Sequence, residues 1–219
     1  MKNIVVIGSG GVAAEIETYL ADINTMSKRP IMRIIGLLDD SIENYKSNAK
    51  KYGFSQPWLG TIDSYIYSKS EEYILGFANI EHRSKAINKL IHKELSFATI
   101  IHPSAQIAKS AKIGKGNIVY PFCIIGPNSS IGDFNLITSY SFISHDCKVG
   151  DNNFLSTSGL SGNVTIGNNN FFGIRATIIP SISIGSNNVI QAGMILDKHI
   201  EDGETVFHRF KEKVTIISK

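Results

Sequence analysis

The 219-residue sequence predicts a small parallel α/β sheet followed by a parallel β-helix. Strand and helix patterns alternate over residues 1–100, and a strict six-residue period follows. A chain that turns a corner every six residues points each repeated side chain into a coil, whereas a helix would rotate it off one face. The unbroken series of aliphatic residues is Ile101, Ile107, Ile113, Val119, Ile125, Ile131, Ile137, Ile143, Val149 and Leu155.

The six-residue period slips once. Leu155 and Ile166 are separated by eleven residues rather than twelve, so one residue is missing within 156–165. The series then continues at Phe172, Ile178, Ile184, Ile190 and Leu196. We expect the wall of the coil to bend at the slip, or a loop to leave it there.

The first hundred residues have the alternation typical of a Rossmann-like sheet with helices on its faces. We expect strands at 4–7, 32–38, 72–77 and 97–101, helices at 12–23 and 81–94, and a partly helical segment at 43–52. The last strand is expected to run into the coil at His102-Pro103. The sequence therefore predicts two domains without a linker, residues 1–100 and 101–219.

The composition favours a soluble cytoplasmic protein. Positive and negative charges are scattered and sum to only +3, which gives no basic stripe for nucleic acid. Residues 4–7 are too short for a signal peptide, and no apolar stretch approaches the length of a membrane span. Cys123 and Cys147 fall on different faces of the coil, so we expect small core thiols rather than a disulfide.

A glycine-rich turn joins the first strand to the first helix. The residues Gly8, Ser9, Gly10 and Gly11 fit a loop that lets the backbone approach a phosphate at a helix N-terminus, although a plain tight turn uses similar residues. Asp39 and Asp40 end the second strand, where a carboxylate accepts hydrogen bonds from a ribose or a base. The alternative for this segment is a helix N-cap at Asp40 or Ser41.

His145 is the only histidine between His102 and His199. Its position in the hexad is an outward-pointing corner, where a histidine is either inert or a general base. Asp146 would orient the ring only if the chain turns at His145, because adjacent strand residues face opposite ways. One histidine on such a coil suggests acyl transfer from a thioester, with a backbone N–H near the slip, that of Gly162, as oxyanion donor.

Five segments together resemble the bacterial sugar acetyltransferases of the sialic-acid O-acetyltransferase and nucleotide-4-aminosugar N-acetyltransferase family, over nearly the whole chain. They are Val5-Val6-Ile7-Gly8-Ser9-Gly10-Gly11, Gly36-Leu37-Leu38-Asp39-Asp40, Ile101-His102-Pro103-Ser104-Ala105, Ser144-His145-Asp146-Cys147-Lys148-Val149-Gly150-Asp151 and Leu160-Ser161-Gly162-Asn163-Val164-Thr165-Ile166-Gly167. The resemblance implies a homotrimer of left-handed β-helices, with acetyl-CoA between neighbouring coils and no metal. It also implies a UDP-, dTDP- or GDP-linked amino sugar on the first domain, with no nucleic acid or membrane partner.

The resemblance also assigns residue roles. It implies that His145 is the general base, Asp146 its partner and the Gly162 N–H the oxyanion donor. The segments that resemble the pantetheine-lining backbone contain Gly173, Ile174, Arg175, Ala192 and Gly193, and Lys198 meets a CoA phosphate unless it is simply solvated. The usual Gly-x-Pro-Ala-Lys ending is replaced by His208-Arg209-Phe210-Lys211.

Three departures lie nearer the chemistry. Many relatives have histidine, asparagine and histidine where this chain has Val12, Thr138 and Phe154. We expect Thr138 and Phe154 to line a more apolar acceptor pocket, which affects the choice of sugar or acyl group rather than the reaction.

The favoured hypothesis is acetyl transfer to the 4-amino group of a nucleotide-linked deoxysugar, for surface glycan, O-antigen or lipopolysaccharide synthesis. The alternatives are O-acetylation of a sialic acid and a non-enzymatic scaffold with a nucleotide-sensing domain. A nicotinamide oxidoreductase rests on the glycine loop alone and is disfavoured. Metal-dependent hydration would need several histidine ligands, and only one candidate, His145, is present, so we reject it. Nucleotidyl transfer would need a basic signature beside the glycine loop, and we expect none in the first domain.

Overall fold

A computed structural model describes residues 1–27 and 30–208, and it opens with a five-stranded parallel sheet. The strands are β1 (Lys2–Ile7), β2 (Met32–Leu38), β3 (Trp58–Gly60), β4 (Glu72–Leu75) and β5 (Ser96–Phe97), in the spatial order β3-β2-β1-β4-β5. The helices are α1 (Gly11–Met26), α2 (Ile42–Tyr52) and α3 (Ile80–Leu90), followed by a 3₁₀ turn at Ile91–Lys93. The sheet order places the glycine turn and the end of β2 side by side at the carboxyl edge.

Local sequence explains how these helices start. The side chain of Ser41 accepts a hydrogen bond from the Asn44 N–H and caps α2, and Asn79 caps α3 in the same way. The sequence analysis gave Asp40 and Ser41 as alternative N-caps, and the structure shows that the cap is Ser41. The start of α1 instead has Gly10, whose missing side chain leaves the first N–H groups without a side-chain cap.

The first domain differs from the predicted elements in three places. The three-residue strand β3 is too short to show alternation, and it forms because it pairs with β2. The helix α3 ends at Leu90 rather than at 94, because the chain tightens into the 3₁₀ turn and Glu94 adopts a left-handed φ of 51°. The segment predicted as one strand at 97–101 is two, β5 in the sheet and a first coil strand at Ile100–Ile101.

The second part is a three-faced coil of two-residue parallel strands. The first face contains Ile100–Ile101, Ile118–Val119, Leu136–Ile137, Phe154–Leu155, Phe171–Phe172, Val189–Ile190 and Thr205–Val206. The second contains Gln106–Ile107, Ile124–Ile125, Phe142–Ile143, Gly159–Leu160, Thr177–Ile178 and Ile195–Leu196. The third contains Lys112–Ile113, Ser130–Ile131, Lys148–Val149, Thr165–Ile166 and Ser183–Ile184.

Three edges separate the faces. We call the edge between the first and second faces the first edge, with corners at 138–140, 156–158, 173–175 and 191–193. The second edge, between the second and third faces, has corners at 144–146, 161–163 and 179–181. The third edge, with corners at 132–134, 150–152 and 167–169, returns to the first face. Most corners place one residue at positive φ, for example Tyr140 at 63° and Asp146 at 60°.

The slip in the period is a shortened corner on the first edge. Leu155 and Leu160 both point into the coil and are only five residues apart, while Leu160 to Ile166 is the usual six. The strands on both sides keep their pairing with the coils above and below, so no loop leaves the wall there. The expectation of a loop was therefore wrong. The Gly162 corner has regular spacing, and the slip does not free its N–H.

The coil interior combines aliphatic side chains with small polar corner residues. Asn117, Asn135 and Asn153 are fully buried, and each amide Nδ2 donates to a carbonyl of the next coil. Cys123 and Cys147 occupy equivalent small positions at the other edges and are buried free thiols, as predicted. Burial raises the pKa of Cys123 to about 11, so this thiol stays protonated.

The first domain packs over the first face of the coil. The fully buried Arg83 of α3 donates to the Phe134 carbonyl at 2.6 Å, to Asn152 Oδ1 at 3.0 Å and to the Phe77 carbonyl at 2.8 Å. These acceptors belong to the third edge and to the loop after β4. At the first edge, α1 contacts the coil through the pair Asp22 and His102 at 3.0 Å. Among the described residues, no helix has the length and apolar character needed to cross a membrane.

Candidate active site

The glycine turn forms one wall of a cavity of about 590 Å³ in the first domain. Gly8 has a φ of 101°, and a Cβ there would lie 2.7 Å from the Phe77 ring, so only glycine fits. Gly10 and Gly11 begin α1, where uncapped N–H groups and the helix dipole favour an anion. The predicted phosphate loop therefore has the required backbone geometry.

The acidic residues after β2 line the same cavity. Asp39 accepts hydrogen bonds from the Ser9 hydroxyl and from the Ser41 N–H, so both of its oxygens are engaged by the protein. Asp40 uses Oδ1 to accept from the Ile62 N–H at 3.0 Å. Asp39 thus holds the loop in shape, and Asp40 retains the oxygen available for a ribose or a base.

The sequence analysis missed the opposite wall of this cavity. His82, Lys85 and Lys89 of α3 line it together with the glycine turn. Their spacing of three and four residues places them on one face of α3, and that spacing is the signal that identifies them. Lys85 and Lys89 also form exposed ion pairs, with Glu81 at 2.6 Å and Asp63 at 2.8 Å. This basic helix face beside the glycine turn suits a diphosphate, and it corrects the expectation that the first domain has no basic signature beside its glycine loop.

A second cavity, of about 300 Å³, lies between α1 and the first edge; we call it the recess. Val12, Thr138 and Phe154 all line it, as does Thr157 of the shortened corner. The Thr157 N–H donates to Thr138 Oγ1 at 2.9 Å. A middle cavity is lined by Gly10, Gly11, Val12, Glu15 and Ala78, and it shares lining residues with both the recess and the cavity at the glycine turn. The structure thus places the three departures in one pocket.

His145 stands on the second edge with 64% of its side chain exposed. Its Nδ1 lies 2.7 Å from Asp146 Oδ2, so Nδ1–H donates and Nε2 is left as the base. The pairing is possible because the chain turns at Asp146, whose φ is 60°. Hydrogen bonds from Asn128 and then from His145 lower the pKa of Asp146, which keeps it ionised at neutral pH.

Gly162 lies in the next coil directly against the imidazole. A Cβ at this position would be 2.6 Å from Cε1 and 2.7 Å from Nε2 of His145. The Asn163 N–H donates to the His145 carbonyl at 3.0 Å, which fixes the two corners relative to each other. Among the described residues, the Gly162 N–H has no hydrogen-bond acceptor. The predicted base and oxyanion donor are therefore neighbours.

The predicted coenzyme residues fall on two edges. Gly173, Ile174, Arg175, Ala192 and Gly193 form consecutive corners of the first edge, and Ile174 is 54% exposed. Lys198 instead follows the last strand of the second face and stands on the second edge, three coils from His145. At about 4.8 Å per coil this separation is about 14 Å. His208 is exposed, and residues 209–211 lie outside the described part of the chain.

One chain does not bring the two halves of the site together. The first domain covers the first face and contains the cavity at the glycine turn, and the recess opens beside the first edge. His145 occupies the second edge, which in a three-sided coil lies opposite the first face. The body of the coil separates the recess from the His145 side chain of the same chain.

Comparisons with known proteins agree with this architecture. A family model described as hexapeptide repeat of succinyl-transferase matches residues 163–198. UDP-N-acetylbacillosamine N-acetyltransferase of Bacillus subtilis is 27% identical over 118 residues, which cover 54% of this chain and 51% of that protein. The match thus spans about half the length of the curated relative.

Solved structures match nearly the whole chain. A mutant perosamine N-acetyltransferase of Caulobacter crescentus, in complex with CoA and GDP-perosamine, has 22% identity and a TM-score of 0.75, covering 94% of this chain and 93% of that one. The acetyltransferase domain of PglB of Neisseria gonorrhoeae, in complex with acetyl coenzyme A, has 23% identity and a TM-score of 0.77, covering 93% and 95%. These matches confirm the predicted fold, a Rossmann-like sheet followed by a left-handed parallel β-helix.

Replacing Gly162 with alanine tests the contact between this residue and the imidazole. The new Cβ displaces the exposed His145 ring, and we expect kcat to fall at least about tenfold because the base is misplaced. The unfolding temperature should stay unchanged, since the ring moves into solvent. Ser161→Ala, one residue earlier in the same corner, is the control. Equal kcat in the two variants would contradict the assigned contact.

Proposed function

We propose that this protein transfers an acetyl group from acetyl-CoA to the amino group of a nucleotide-linked amino sugar. The observation that carries the proposal is the His145 imidazole, held by Asp146 at a coil edge with its ring against Gly162, whose N–H has no acceptor among the described residues. A base beside a backbone donor is the arrangement that acyl transfer requires. The nucleotide cavity with its glycine loop and basic helix face supplies a site for the acceptor.

The relatives support the same class of reaction. The curated relative and the two matching structures named above are described as N-acetyltransferases or acetyltransferases. One of the two structures contains CoA and GDP-perosamine, and the other contains acetyl-CoA. The sequences share at most 27% identity with this chain, so the sugar and nucleotide are open to test. We place the reaction in the cytoplasm, where acetyl-CoA is available and buried free thiols persist.

The geometry gives each residue one task. The neutral amine attacks the thioester carbonyl carbon while His145 Nε2 takes one of its protons. The Gly162 N–H donates to the oxygen that becomes negative. As the carbon–sulfur bond breaks, the imidazolium returns the proton to the sulfur, which leaves an amide and a free thiol. Asp146 keeps Nδ1 protonated throughout, so that Nε2 remains the base.

The site is completed by a second copy of the chain. Because the second face lies between the first and second edges, a threefold arrangement with this face inward sets the first edge of one subunit against the second edge of the next. Three of the six outward positions on this face carry large, exposed apolar side chains: Ile124 at 47%, Phe142 at 39% and Ile195 at 68%. We therefore propose a homotrimer.

The same arrangement explains the division of the coenzyme residues. The corners at Gly173 and Ala192 on one subunit would meet Lys198 and His145 of its neighbour. Acetyl-CoA would then lie between two coils, with its thioester at His145 and a phosphate near Lys198. The acceptor would reach this thioester from the recess of the first subunit.

A thiol-release assay tests the proposed reaction. We expect free CoA to form from acetyl-CoA with at least one member of a UDP-, dTDP- and GDP-4-amino sugar panel. No release with any member, or release only with free or activated sialic acids, would overturn the assignment.

His145→Asn should lower kcat about 100-fold or more, because general base catalysis is lost. His92→Asn, at an exposed histidine in the first domain, should keep full activity.

Placing a charge on the second face tests the trimer. In Ile124→Lys the lysine would be buried against the neighbouring subunits, so we expect dissociation and loss of turnover. Sedimentation should give about three times 24.0 kDa for the native protein and a smaller mass for the variant. Val189→Lys is the matched control, because Val189 is 46% exposed on the first face. A native mass for Ile124→Lys would contradict the arrangement.

A further inference from the structure

The recess contains one charged side chain that the proposed mechanism does not use. Glu15, on the second turn of α1, lines both the recess and the middle cavity. The other residues around the recess are neutral, and several are apolar, among them Val12, Leu136 and Phe154. Glu15 therefore stands where a sugar attached to a nucleotide in the first domain would enter the recess.

Tyr120 fixes the position of this carboxylate. The tyrosine is only 4% exposed, and its hydroxyl donates to Glu15 Oε2 at 2.6 Å. The Tyr120 ring also packs edge-on against Tyr19, with 4.9 Å between centroids. Burial, and then the hydrogen bond to Glu15, raise the pKa of Tyr120, so the hydroxyl stays a donor. Glu15 Oε2 accepts from Tyr120, and among the described residues no donor reaches Oε1.

Within residues 1–27 and 30–208, the Glu15 carboxylate has no ion-pair partner. A negative charge held by a buried donor in a mostly apolar recess attracts a cationic ligand group, which it binds through a charge-assisted hydrogen bond. A primary amine is such a group, because it is largely protonated at neutral pH.

We propose that Glu15, positioned by Tyr120, binds the ammonium form of the acceptor and selects amino sugars over their hydroxyl counterparts. This inference rests on the proposed function and names the residue that decides between N- and O-acylation. Glu15 is a specificity-determining residue, and it takes no part in the proton transfers of the reaction. The amine loses its extra proton to solvent before it attacks, and His145 takes the proton released in the attack.

Calorimetric titration without acetyl-CoA tests the selection directly. The probes are UDP-, dTDP- and GDP-linked 4-amino-4,6-dideoxyglucose, each paired with its 4-hydroxy counterpart. We expect the native protein to bind the amino member of at least one pair about tenfold or more tightly. Glu15→Gln should remove this preference and leave the affinity for the hydroxy member unchanged. Tyr120→Phe keeps the ring and should only weaken the preference.

Glu17→Gln is the matched control. Glu17 lies two residues along the same helix, pairs with Gln56 at 2.6 Å and lines neither cavity, so the preference should persist. A preference retained in Glu15→Gln would overturn the inference, as would its absence from the native protein. The proposed function has its own test. It fails if the binding preference is measured but no amino sugar gives thiol release. Thiol release with an unchanged KM in Glu15→Gln would refute only the role of Glu15.

Discussion

The structure depends on one constraint, the return of the chain to the same three faces every eighteen residues. Each hexad places an aliphatic side chain inside and turns at a corner, usually through one residue at positive φ. The backbone hydrogen bonds between coils then hold every corner in register with the one below it. The backbone of a corner residue is therefore fixed in space although its side chain is exposed. This constraint brings His145 and Gly162 together from two successive coils.

The same constraint separates the two halves of the proposed site within one chain. Arg83 and the α1 contacts hold the first domain on the first face, so the acceptor cavity belongs to that side of the coil. Burial lowers the pKa of Arg83 only to about 10, so a charged guanidinium is held by three neutral acceptors at the junction. With this orientation fixed, the proposed base lies on the edge opposite the acceptor cavity of its own chain, which is why we propose that it serves the acceptor of another subunit.

The sequence allowed the coil to be predicted because its signal is periodic and local. Ten aliphatic residues at one spacing admit a single interpretation, and the glycine turn and His145 stood out by residue type. The recess could not be predicted, because Glu15, Tyr120 and Phe154 meet only when the two domains pack. The basic face of α3 was visible in the spacing of His82, Lys85 and Lys89, but not its position across from the glycine turn. The sequence indicates that one residue is missing within 156–165. It does not place the shortened corner on the first edge, because that step requires Leu160 to be identified as an inward residue.

Subunit mixing tests the central claim, a site shared between two chains, most directly. His145→Ala lacks the base, and Gly10→Phe fills the nucleotide cavity from a position where a Cβ meets no other atom within 4 Å. Each variant alone should be inactive, and mixed trimers purified through two different tags should regain about a third of native turnover, since one of their three sites combines an intact cavity with an intact base from the neighbour. Mixed trimers that stay as inactive as the separate variants would contradict a shared site.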